Sequence, residues 1–213
     1  MESQNISISE LRTQNPNLRI YTIKFFDKRF TTTVTSSPYE IRKWIRSTWY
    51  HYSAYRTQLI VGLGVQWNPD SDNNNPADTL QLCVGSRCLI IQLSQTDYVP
   101  ELLRRFLGDT DTTFVGIWNH SDESRLEQCE HKLVLGSEPI DLRYKVADRF
   151  GEYELQRASM ESLVGRFFGY HGVGKDPNVA RSEWDADWLD DEQVLYASVD
   201  AFVSFQMGKE MGL

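Results

Sequence analysis

Tyr196 and Asp200 stand four positions apart, a spacing that puts a phenol and a carboxylate on one face if the segment is helical. A helix start precedes them, since Asp190 is followed three residues on by Gln193. Each also has a plain structural reading: alone, Asp200 is an exposed helix acid and Tyr196 a core aromatic. Asp122 opens another predicted helix, where the helix dipole favours an acid with or without a site. Phosphate-binding capacity concentrates in 155–181, where Arg157, Arg166, Lys175 and Arg181 face only Glu161 and Asp176. By contrast, 182–195 holds six acids and no base. Lys175, Arg181 and Arg157 are thus candidates for phosphate, with a solvated charged face as the other reading.

Other chemistries lack their parts. His51, His120, His131 and His171 show no ligand spacing, which disfavours zinc. The run Gly169 to Lys175 has the glycines and lysine of a phosphate loop, but it follows a predicted helix rather than a strand. It also has Asp176 where such a loop carries Ser or Thr, so it reads as a turn. A serine nucleophile has no elbow motif to stand on. Three cysteines without a Cys-x-x-Cys pair argue against a disulfide framework and for a reducing compartment.

The elements that would position these residues follow from patterning. Residues 20–26 and 30–34 read as an opening hairpin, and Ser37-Pro38 with Glu40 as a capping-box start of a helix reaching about residue 50. The apolar run 59–65 reads as a strand buried on both faces, at the centre of a sheet. A polar loop, 68–77, precedes a second hairpin, 80–84 and 88–93. Helices over 100–107, 121–132 and 160–168 and a strand over 113–117 complete a mixed sheet flanked by helices, an α/β fold. At 213 residues the chain reads as a polar N-terminal segment, 1–18, and one domain, 19–213. A net charge of −8 excludes a surface that grips nucleic acid everywhere and confines any such contact to a local groove. No run reaches membrane-spanning length and no signal peptide opens the chain, so a cytoplasmic or nuclear protein is expected.

Three segments resemble the motifs of the DEDDy 3′–5′ exonucleases, similar to the Werner exonuclease. Glu192 to Ala201, with Tyr196 and Asp200, resembles the third motif, and 155–163 the helix beside it. Phe114 to Ile117 leading to Asp122-Glu-Ser-Arg125-Leu126 resembles the second. The strand ending Leu63-Gly64-Val65-Gln66-Trp67 sits where the family has Asp-x-Glu before a tryptophan, so Gly64 stands for the aspartate and Gln66 for the glutamate. The opening hairpin resembles the plant branch that includes the RISC-interacting clearing exoribonucleases, which implies a homo-oligomeric ring of six.

The resemblance implies a ribonuclease H-like fold and hydrolysis of a terminal phosphodiester by two divalent ions, Mg²⁺ or Mn²⁺. It makes Asp122 and Asp200 metal ligands for at most a weak or single ion, and Tyr196 the residue that orients water. Glycine has no side chain to give and an amide is neutral, so catalysis is expected to be impaired, and rescue by a nearby acid such as Asp70 or Asp72 in the following loop would need a different geometry. Three functions stay open: a catalytically degenerate protein that binds single-stranded RNA or DNA 3′ ends, an active 3′–5′ exonuclease, and a ring-forming assembly subunit.

Overall fold

The computed structural model describes residues 5–15, 17–52, 59–69, 75–174 and 176–213. Among the described residues, eight strands form one mixed sheet in the order β1-β2-β3-β6-β5-β4-β7-β8. The expected hairpins are β2 (Leu18–Phe25) with β3 (Lys28–Thr35), and β5 (Thr79–Val84) with β6 (Arg87–Gln92). Each turn contains a left-handed residue, Phe26 in the first and Gly85 in the second. One strand, β1 (Ile6–Leu11), falls in the segment read only as polar and pairs antiparallel with β2. Alternation of Ile6 and Ile8 with serines is its only mark in the sequence.

The apolar run is β4 (Leu59–Gln66), and it lies inside the sheet as its composition demands, antiparallel to β5 and parallel to β7 (Thr112–Gly116). The short β8 (Ile140–Asp141) closes the far edge beside β7. Between β3 and β4 runs α1 (Pro38–His51), with Pro38 in its first turn. The expected capping box does not form there. Ser37 makes no side-chain cap bond, its N–H instead reaching Thr35 Oγ1 at 3.0 Å, and Glu40 turns to Lys43 at 3.4 Å.

Helix α2 (Glu101–Leu107) precedes β7, and α3 (Asp122–Gln128) follows it, shorter than the 121–132 expected because Cys129 leaves the helical region. Then come α4 (Leu142–Phe150), α5 (Met160–Phe168) and α6 (Pro177–Ala180). The stretch 155–159 is in part a 3₁₀ turn rather than continuous helix. The last helix, α7 (Asp191–Met211), begins with the capping box anticipated at Asp190 and Gln193: each side chain accepts the other's backbone N–H, at 2.8 and 3.0 Å. Its middle is buried on several sides and it lies across β4, β5, β6 and β7. A hydroxyl pair, Thr32 Oγ1 to Ser198 Oγ at 2.9 Å, ties it to β3 inside the core.

Cys83 and Cys88 face one another in the β5–β6 register and are disulfide-bonded, both buried. Counting cysteines argued against this bond. Pairing depends on which Cβ atoms the hairpin brings opposite each other, and the register does that directly. Cys129 is free and buried. Among the described residues no helix is long and apolar enough to cross a membrane.

Candidate functional site

Strand β4 turns Gly62, Gly64 and Gln66 toward α7, because alternate residues of a strand share a face. The two glycines are there for different reasons. A Cβ on Gly62 would lie 1.9 Å from the Ala201 carbonyl oxygen and 2.7 Å from the Phe205 nitrogen, so the α7 backbone rests directly on that position. A Cβ on Gly64 would meet only side chains, Gln81 Oε1 at 2.9 Å and Asp200 Oδ2 at 3.8 Å. Gly62 is therefore required by packing, whereas Gly64 leaves a gap beside a carboxylate.

Around that gap lies a cavity of about 280 Å³. It is walled by Gly64, Gln66 and Trp67 from the end of β4, Asp122 from the first turn of α3, Ser159 and Met160 at the start of α5, and Tyr196 and Asp200 from α7. Trp118, in the loop after β7, completes it. Gln66 Nε2 donates to Asp200 Oδ2 at 3.4 Å. Asp122 is only 5% exposed, and its N–H reaches the Asn119 carbonyl at 3.1 Å. Asn119 in turn donates to the Ile140 carbonyl at 3.3 Å, tying this turn to β8. Tyr196 packs its ring against Trp184, with centroids 6.0 Å apart, and also lines a second cavity with Val173, Asp176 and Val179.

Neighbouring residues fix the rim. The Arg125 guanidinium stacks on Trp67, 3.7 Å from the ring centroid, and donates to the Asn75 carbonyl; burial pulls its pKa down. Asp78 takes the Asn68 N–H on Oδ2 at 2.8 Å and gives its own N–H to the Gln66 carbonyl at 3.0 Å. Burial pushes the Asp78 carboxyl up, and the Asn68 bond opposes it.

The structure thus brings Gly64, Gln66, Asp122, Tyr196 and Asp200 into one cavity. Arg157 and Arg181 are exposed and line no part of it. Lys175, Asp70 and Asp72 lie outside the described residues. Two lining or neighbouring residues carried no motif. Gln81 is fully buried in β5, its Nε2 donating to Thr79 Oγ1 at 2.6 Å while its Oε1, the atom nearest the Gly64 gap, accepts nothing. A glutamine within the apolar run Leu80 to Val84 was the available signal. Trp118 has no such signal, because its place depends on a left-handed turn, φ 60°.

The donor set does not match a centre for two divalent ions. Asp122 and Asp200 are the carboxylates in the cavity wall, and among the described residues no group of three or more His, Cys, Asp or Glu is placed to hold a metal ion.

Comparison with known proteins places this arrangement. The chain is 22% identical over 200 residues to a 3′–5′ exonuclease of Drosophila grimshawi, a match covering 89% of this chain and 56% of that protein. It is 27% identical over 150 residues to human exonuclease 3′–5′ domain-containing protein 2, covering 68% of this chain and 24% of that one. The chain therefore spans about half the length of these relatives or less. Among solved structures, Escherichia coli RNase D superimposes with a TM-score of 0.58 at 19% identity, covering 76% of this chain and 41% of that one. The Nibbler EXO domain of Aedes aegypti gives 0.58 at 17%, covering 78% and 83%. Both likenesses concern the fold, which is ribonuclease H-like. The 3′–5′ exonuclease family model matches residues 70–213, from just after β4 to the C-terminus. With Tyr196 and Asp200 of that region on one wall of the cavity, the chain belongs to the DEDDy-type 3′–5′ exonuclease family.

Proposed function

We propose that this chain binds the 3′ end of a single-stranded nucleic acid in the cavity between β4 and α7 and hydrolyses it weakly or not at all. The observation that carries the reading is the pair of positions facing Asp200: Gly64 offers no ligand and Gln66 offers a neutral amide. Bringing two dications together needs several carboxylates to offset their repulsion, and loss of one preorganised electrostatic element commonly costs roughly 10²- to 10³-fold in rate. What remains, Asp122 and Asp200, suits a single hard ion such as Mg²⁺ or Mn²⁺ held weakly. With a net charge of −8, phosphate contacts are few and local, so binding is weak and falls with salt. RNA and DNA ends are both substrates for recognition, since every base offers a π-face.

Family membership favours a second reading, an active exonuclease. Incubation of the purified chain with 5′-labelled single strands, with and without Mg²⁺ or Mn²⁺, separates the two. Binding without shortening supports the proposal. Robust EDTA-sensitive degradation that Asp200→Ala abolishes overturns it, and absence of binding at low salt points instead to an assembly subunit. A homo-oligomer accompanies the proposal, supported by the outer edge of β1, which pairs with no other described strand and can template a second chain.

A further inference from the structure

We propose that Trp118 is the stacking platform for the terminal base of the bound strand, an inference that rests on the reading of the cavity as a nucleic-acid site. Trp118 is 44% exposed and shares the cavity wall with Asp122, Tyr196 and Asp200. Its backbone has φ 60°, a left-handed conformation that a bulky side chain adopts only when its surroundings impose it.

Those surroundings are specific. The indole N–H donates to the Ala158 carbonyl at 2.9 Å, which stops the ring from turning. The Arg143 guanidinium covers one face, 3.3 Å from the ring centroid. Arg143 is itself fixed: it is 4% exposed, pairs with Asp141 through Nη2 at 2.6 Å and Nε at 3.0 Å, and donates from Nη1 to the Gln156 carbonyl at 2.9 Å. A buried cation already paired with Asp141 serves no ion pair that needs the ring. It holds the ring flat, and its charge is attracted to the ring's electron-rich face.

With one face so covered, the rest of the ring is what remains for a base, and Trp118 is part of the cavity wall. A flat ring held rigid in a cavity wall that also carries two carboxylates, Asp122 and Asp200, matches the end of a polynucleotide. The base stacks on the indole, and the sugar hydroxyl and amino groups donate to the acceptors. Stacking of this kind tolerates any base, and it needs no phosphate contact, which suits an acidic protein.

The test compares a 5′-labelled oligothymidylate with the same strand carrying an abasic 3′-terminal residue, titrated against wild type, Trp118→Ala and Trp118→Phe, each first shown to melt like wild type. Wild type is expected to bind the intact end about tenfold tighter than the abasic one. Trp118→Ala loses that preference, binding both as wild type binds the abasic strand, and Trp118→Phe keeps most of it. A wild type that binds but ignores the abasic lesion overturns this inference and leaves the functional reading standing. The same holds if Trp118→Ala retains the preference or weakens both strands equally. A wild type that binds neither strand overturns both.

Discussion

The amide nitrogen of Gln66 lies 3.4 Å from Oδ2 of Asp200, joining β4 to α7 across the cavity by a hydrogen bond. Two carboxylates at these positions would repel and would need a cation between them. An amide and a carboxylate satisfy one another without one.

Restoring the ligands follows from that geometry. Gly64→Asp with Gln66→Glu should raise Mg²⁺-dependent 3′–5′ degradation by roughly 10²-fold or more, the contribution of a single electrostatic element. The new Cβ at 64 meets the tip of Gln81 at 2.9 Å, a side chain that can swing aside. Clustered acids should also make the variant's melting temperature rise on adding Mn²⁺ more than wild type's does. A folded double variant with no gain in degradation would show that the defect lies elsewhere.

The two glycines of β4 should separate in stability. Gly62→Ala places a Cβ 1.9 Å from the Ala201 carbonyl and must push α7 off the sheet, costing about 3 kcal/mol or more. Gly64→Ala meets only side-chain atoms and should cost less than about 1 kcal/mol. Urea denaturation of both variants decides it, and equal losses would contradict the packing described.

Asp78 gives a pH signature. Its carboxyl is raised from 3.8 by burial, so between that value and the folded one the native state holds a proton the unfolded chain has lost. Its contribution is therefore favourable at acid pH and is lost as pH rises through that window. Asp78→Asn keeps an oxygen for the Asn68 N–H and removes the buried charge. Relative to wild type it should gain stability as pH rises from about 4 to 7, read as the difference in melting temperature at several pH values.

The Cys83–Cys88 bond closes a loop with a sequence separation of five, and chain entropy for so short a loop amounts to about 2 kcal/mol. The hairpin register already holds those strands together. Reduction should leave the fold intact and lower stability by no more than about 2 kcal/mol, measured by denaturation with and without reductant.

For the proposed oligomer, light scattering should return a multiple of 24.7 kDa, with a ring of six as the expected state. A monomer mass at micromolar concentration removes that proposal.

Local signals carried most of the elements. Alternation in 20–26 and 30–34, the unbroken apolar run at β4, and the Asp190–Gln193 box at α7 are short-range patterns whose causes lie within a few residues, and each element formed where they pointed. Tyr196 and Asp200 could be placed on one face for the same reason: helix periodicity alone sets it. What tertiary structure decided is how separate segments meet. Only the close approach of α7 to β4 distinguishes Gly62, squeezed by backbone, from Gly64, facing Asp200 across a gap. The β5–β6 register, not the number of cysteines, paired Cys83 with Cys88. Arg143 behind Trp118, and Gln81 with an unbonded oxygen at Gly64, are juxtapositions of residues far apart in the chain. No window of sequence contains them, because a contact between distant segments is fixed by how whole faces pack rather than by the residues' own neighbours.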